Sequence, residues 1–107
     1  MEVSSVTAII DSGASINIMA ERQYQALAHK KVLQKAKVRV FTYGQTQLLK
    51  MAGMFETIIA HGDTQVPSKV YVAKDGHRML LSGRTAEALR LINFMLSVPT
   101  TGLEAIL

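Results

Sequence analysis

Val6-Thr7-Ala8-Ile9-Ile10-Asp11-Ser12-Gly13-Ala14-Ser15 is an apolar run that breaks, at a single carboxylate, into small turn-forming residues. The β-branched Ile9 and Ile10 favour a strand, while Ser12 and Gly13 supply a hydroxyl and a φ-permissive residue that bend the chain where the acid appears. This pattern predicts a carboxylate on a sharp turn at the end of a buried strand, which is a catalytic geometry. By itself Asp-Ser-Gly is ordinary turn chemistry. Its weight depends on what accompanies it.

A second element follows about seventy residues later. Met79-Leu80-Leu81-Ser82-Gly83-Arg84 is an apolar run ending in small residues, and Thr85 to Ile92 then reads as a helix with Leu89 and Ile92 on one face. In this order and separation the two elements resemble the retropepsins, the single-domain aspartic proteases of retroviruses and gypsy-type long-terminal-repeat retrotransposons. Three blocks carry the likeness: Ile9 to Ala14, a Tyr-Gly hairpin region at Thr42 to Gly53, and the Leu-Leu-small-plus-helix block at Leu80 to Leu91. Together they span Val6 to Ile92. The resemblance implies a mostly-β, closed-barrel domain with one or two short helices and half of an active site per chain. Residues 1–98 would form that domain and residues 99–107 a linker or tail.

Composition narrows the remaining classes. A chain of 107 residues has room for one domain and one modest core. With 49% hydrophobic residues and only two prolines, wholesale disorder is not expected. No apolar run approaches the ~20 residues of a membrane span, and no basic-then-apolar leader opens the chain, so a soluble protein is expected. The absence of cysteine excludes disulfides, zinc-thiolate sites and thiol catalysis. His29, His61 and His77 are too scattered for a metal motif and read as surface or turn residues.

The formal charge is +4, concentrated between Glu21 and Lys50, where Arg22, Lys30, Lys31, Lys35, Lys37, Arg39 and Lys50 face one acid. Such a stretch can attract nucleic acid. Few aromatics and no RNA-binding motif accompany it, so a solvated, solubilising face is the favoured reading.

The rest of the chain reads as closely spaced strands. Glu2 to Ile10 is the first, Asn17 to Met19 looks extended, and Ala20 to His29 has helix formers with Tyr24 and Leu27 on one face. Lys37 to Tyr43 alternates as a half-buried strand, Gly44 to Gln47 supplies a turn, and a return strand begins at Leu48. Gly53 interrupts that strand, which marks a bulge or a close backbone approach. Phe55–Ala60 and Ser68–Ala73 are two further strands joined through His61-Gly62-Asp63 and Pro67, and Asp75-Gly76 is a tight turn. Met19, Met51, Met54, Met79 and Met95 read as core filling. Asn93 to Ser97 is expected to form a strand in a dimer interface, since Phe94, Met95 and Leu96 would otherwise be exposed on a small monomer.

Aspartic proteolysis needs two carboxylates sharing a proton, and only Asp11 has the required context; Asp63-Thr64 is followed by Gln65. The second carboxylate is therefore expected from a second copy across a two-fold axis, making the chain an obligate homodimer. The resemblance implies that Asp11 is catalytic, that Ser12 bonds across the axis, and that Gly13 offers its N–H to the carboxylates. It implies substrate contacts from Ala14 and Ser15, from a flap hairpin including Tyr43, Gly44, Gln45 and Thr46, and from Leu80 and Leu81 as pocket wall and core. Where most relatives carry Gly after the apolar pair, Ser82 intervenes; either it takes the glycine's place or the strand holds one extra residue.

The implied activity is polyprotein cleavage at extended, mainly apolar peptides by carboxylate-activated water, without cofactor or metal, in the cytoplasm or in virus-like particles. The alternatives are a catalytically silent domesticated dimerisation or peptide-binding module and a cellular ubiquitin-linked relative.

Overall fold

The computed structural model describes residues 4–37, 49–76 and 78–91 and the backbone of 104–106. The elements in chain order are β1 (Thr7–Asp11), β2 (Asn17–Ala20), α1 (Glu21–Gln25), β3 (Met51–His61), β4 (Thr64–Ala73), β5 (Met79–Ser82), α2 (Gly83–Ala88) and β6 (Glu104–Ile106). The domain is mostly β with two short helices. Among the described residues six strands form one sheet in the order β3-β4-β2-β5-β1-β6, and that sheet is not closed into a barrel. The expected strand Lys37–Tyr43 (beyond Lys37), its turn, and the Asn93–Ser97 strand lie outside the described residues. Glu104–Ile106, within the stretch read as tail, pairs antiparallel with β1.

Strand alternation sorts the apolar residues onto two faces. β1 and β5 run parallel with Ala8 opposite Met79, Ile9 opposite Leu80, Ile10 opposite Leu81 and Asp11 opposite Ser82. Ala8, Met79 and Leu81 are buried, and Ile10 packs against the same core, which also takes Met19, Phe55, Ile59, Val70 and Val72. Burying a Leu or Val side chain in such a core contributes roughly 1.5–3 kcal/mol. Both helices cover this face: Tyr24 of α1 meets Phe55 with ring centroids 5.5 Å apart, and Leu89 at the end of α2 is fully buried in the cluster.

Several elements differ from their sequence expectation for local reasons. Within the expected Glu2–Ile10 strand, Glu2 and Val3 lie outside the described residues, and Ser4–Val6 precede the strand, which runs from Thr7; Ser4 instead accepts the Ala28 N–H through its hydroxyl, 2.9 Å away, a side-chain bond that competes with strand pairing. Helix α1 stops at Gln25 rather than His29 because its last turn tightens. Ala26 N–H donates to the Gln23 and Arg22 carbonyls, and Leu27 N–H reaches only the Tyr24 carbonyl, 3.1 Å away. The Tyr24 hydroxyl then donates to the Lys31 carbonyl and turns the following segment back over the sheet. Pro67 lies inside β4 opposite Ile58, not in the connecting turn, which is only Gly62-Asp63. At that point β4 has passed the end of β2, so a residue without an N–H occupies an edge that lacks a β2 partner.

The segment after α1 guards the outer edge of β3. Lys31 donates its Nζ to the Glu56 carbonyl at 2.8 Å, and Gln34 and Met54 exchange both backbone bonds at 2.7 and 2.8 Å. Gly53 is what lets this segment approach. The strand register shifts between Met51 and Gly53, and a Cβ at Gly53 would stand 2.7 Å from the Gln34 carbonyl oxygen, with the backbone at φ +155°. The bulge and close approach read from the sequence are both present.

Helix α2 runs from Gly83 to Ala88, earlier than expected at both ends, because Ser82 caps it and Arg90 unwinds it. Arg90 adopts φ +62°, its N–H bonds the Glu87 carbonyl, and the Leu91 N–H bonds the Ala86 carbonyl, both at 2.9 Å. This is a Schellman stop with arginine in the left-handed position that glycine normally fills. Gly53→Ala is expected to destabilise by about 2 kcal/mol or more, and Arg90→Gly to stabilise by about 0.5–1 kcal/mol. Urea unfolding at one fixed protein concentration, with unchanged denaturant slopes, checks both signs.

Candidate active site

Asp11 is the last residue of β1 and half-buried. Alternation places it with Ile9, on the sheet face opposite the core-facing Ala8 and Ile10. Behind it the chain turns tightly: the Ala14 N–H bonds the Asp11 carbonyl at 2.9 Å, and the Gly13 N–H donates to Asp11 Oδ1 at 3.1 Å. A backbone donor on the carboxylate fixes its orientation. Ser12, Gly13 and Ser15 are exposed and Ala14 is half-buried, so this turn is open to a ligand or to a second chain.

The same face carries an apolar row. Register pairs connect Met54 to Tyr71, Tyr71 to Ile18, Ile18 to Leu80 and Leu80 to Ile9. These five residues thus line up across five strands on the side that α1 and α2 do not cover, and each is half-buried. Leu80 therefore stands beside Ile9 and on the face of Asp11. Leu81 does not; it has no exposed surface and belongs to the core. Tyr43, Gly44, Gln45 and Thr46 lie outside the described residues. Asp63 is exposed near the tip of the β3–β4 hairpin, and no group of three potential metal-ligating residues occurs among the described residues.

Ser82 closes β5 opposite the carboxylate. The parallel pairing runs without a bulge to Asp11 opposite Ser82. Its hydroxyl accepts the Thr85 N–H at 3.1 Å and bonds Thr85 Oγ1 at 2.9 Å, capping α2 in a buried position. The Ser82 N–H donates to Asn17 Oδ1 at 2.9 Å, while Asn17 Nδ2 donates to the Lys69 carbonyl at 3.0 Å.

Sequence reading missed Asn17 as more than an extended residue, and it missed the partnership of Ile18, Tyr71 and Met54 with Leu80. A polar residue opening a short apolar strand was the available signal for Asn17. The row needed the register, which no local pattern supplies. Among the described residues no helix is long and apolar enough to cross a membrane.

No family model, curated protein or solved structure matches this chain. The chemistry is therefore argued from the site itself: one oriented carboxylate on an open turn, beside a strip of half-buried apolar side chains.

Loss of the Ser82 hydroxyl removes the α2 cap and one partner of the buried Thr85 hydroxyl. Ser82→Ala is expected to cost about 1–2 kcal/mol and Ser82→Gly less, following the ranking of capping residues. Thermal unfolding of the two variants side by side reads the order.

Proposed function

We propose that the chain is a retropepsin-like aspartic endopeptidase that acts as a homodimer on extended, mainly apolar peptide segments, as in the processing of a retroelement polyprotein. The observation that carries this reading is the Asp11 turn: a carboxylate at the end of a strand paired on both sides, held by the Gly13 N–H at 3.1 Å, on the same face as the Ile9-Leu80-Ile18-Tyr71-Met54 row. The finer architecture, a barrel completed with a flap and a partner chain, belongs to the same proposal.

One carboxylate is half of the required machinery. In the dimer, two Asp11 side chains meet across the two-fold axis and hold one proton between them, because like charges at that range do not both ionise. The ionised member takes a proton from a water whose oxygen attacks the scissile carbonyl carbon. The protonated member gives its proton to the carbonyl oxygen, producing a neutral gem-diol. Collapse of that intermediate, with a proton passed to the amide nitrogen, breaks the C–N bond and restores the shared proton. The Gly13 N–H, already on Asp11, keeps each carboxylate in the orientation this exchange needs. Apolar side chains of the peptide rest on the strip beside the turn, where their burial supplies affinity.

Asp11→Asn is isosteric and removes the ionisable group, so peptide cleavage is expected to fall by about three orders of magnitude or more while circular dichroism stays the same. Retained turnover in that variant overturns the assignment. Specific activity is expected to rise with protein concentration, with the same midpoint as dimer formation in sedimentation. Full activity from a demonstrated monomer contradicts the shared site. Against pH, the rate is expected to pass through a maximum in the acidic to near-neutral range, because the reactive dyad carries one proton rather than none or two. A rate rising steadily into alkali indicates other chemistry.

A further inference from the structure

Asn17 is one of the few buried polar residues, 5% exposed, and its side chain joins three strands. It opens β2, which runs between β4 and β5. On the β4 side the backbone ladder is continuous over four pairs, from Asn17–Val70 to Ala20–Ala73. On the β5 side it amounts to a single pair, Ile18 with Leu80. The Asn17 carboxamide extends that short seam by accepting the Ser82 N–H at 2.9 Å, and on the β4 side it donates to the Lys69 carbonyl at 3.0 Å.

These bonds have a specific relation to Asp11. The loop from β1 to β2 starts at Asp11 and ends at Asn17. Asp11 is the register partner of Ser82 in the parallel ladder, and Asn17 holds the backbone N–H of that same Ser82. Both ends of the loop are thus anchored on one residue. Ser82 is itself fixed by capping α2 through the Thr85 N–H and hydroxyl. A loop whose two ends share a buried anchor has few ways to shift.

We propose that Asn17 is a positioning residue, acting through Ser82 to hold the Ser12–Ile16 loop, and with it the Asp11 carboxylate, in one arrangement. For its catalytic consequence this inference rests on the protease reading. The clamp itself does not, since it predicts the rigidity of a loop whatever that loop does.

Hydrogen–deuterium exchange of the intact protein, combined with steady-state kinetics, tests it. In Asn17→Ala, amides from Ile10 to Ile16 are expected to exchange roughly tenfold faster or more, while those from Met54 to Ala60 in the hairpin keep their relative protection. Under conditions where the variant stays folded, kcat is expected to fall roughly tenfold or more with KM little changed, since a displaced carboxylate weakens the transition state more than peptide binding.

Asn17→Asp keeps the acceptor facing Ser82, and is expected to retain most of the loop protection that the Ala variant loses. Ile59→Ala, which destabilises the hairpin half of the core through packing alone, is expected to leave loop exchange and kcat unchanged while the fold persists. If Asn17→Ala does not fold, Asn17→Ser, too short to span both partners, takes its place.

The proposal is overturned if removing the carboxamide leaves the loop as protected as before. It is also overturned if exchange rises uniformly across the sheet, or if Ile59→Ala lowers kcat equally. A wild-type chain that cleaves no peptide removes the protease reading, whereas the exchange comparison still decides the clamp.

Discussion

The parallel pairing of β1 with β5 is the constraint from which the remaining arrangement follows. Four register pairs, Ala8–Met79 to Asp11–Ser82, bring together two short apolar strands about seventy residues apart in sequence. One parity of that ladder, Ala8 with Met79 and Ile10 with Leu81, looks into the core; the other, Ile9 with Leu80 and then Asp11, looks away from it. A slip of one residue would exchange the two sets, burying the carboxylate and exposing Leu81. The fully buried Ala8 and Leu81 leave that slip no room. Hydrophobic packing on one side thus determines what is offered for chemistry on the other.

Much of this was legible where a residue acts through its own local chemistry. The Asp11 turn follows from a β-branched pair running into Ser-Gly, and the Gly53 bulge from an isolated glycine in a strand. The β5–α2 junction follows from an apolar run ending in small residues. The sequence was less informative where length or polarity depends on a distant partner. Helix α1 stops short because its last turn tightens at Ala26 and Leu27, after which the Tyr24 hydroxyl holds the Lys31 carbonyl, and helix α2 stops because Arg90 accepts a left-handed backbone. Pro67 resembles a turn residue until β4 is seen to run on past β2. Asn17 reads only as part of an extended stretch until its two hydrogen-bond partners, Lys69 and Ser82, appear 52 and 65 residues away. The apolar strip depends on four separate registers, so no window of sequence contains it.

The charge distribution fits the same architecture. Between Arg22 and Phe55 the sequence contains no acid, and the described part of this stretch includes the exposed Lys30, Lys31, Lys35 and Lys37. These lysines lie on the irregular segment that crosses the edge of β3, where Lys31 spends its ammonium on the Glu56 carbonyl. Charge along a strand edge discourages pairing with another chain. That protection applies at the β3 edge.

The sheet is assembled from connections of very different reach. The β3–β4 hairpin closes through two residues, Gly62 and Asp63, and contributes ten register pairs. The Asp11–Ser82 pairing closes about seventy. Loop-closure entropy and contact order make the hairpin the early event and the parallel pair the late one during folding. The carboxylate therefore gains its anchor only after β5 has joined β1. A nascent chain can already display a well-formed hairpin while the Asp11 turn still lacks its platform, so the turn takes its final shape at the end of folding rather than along the way.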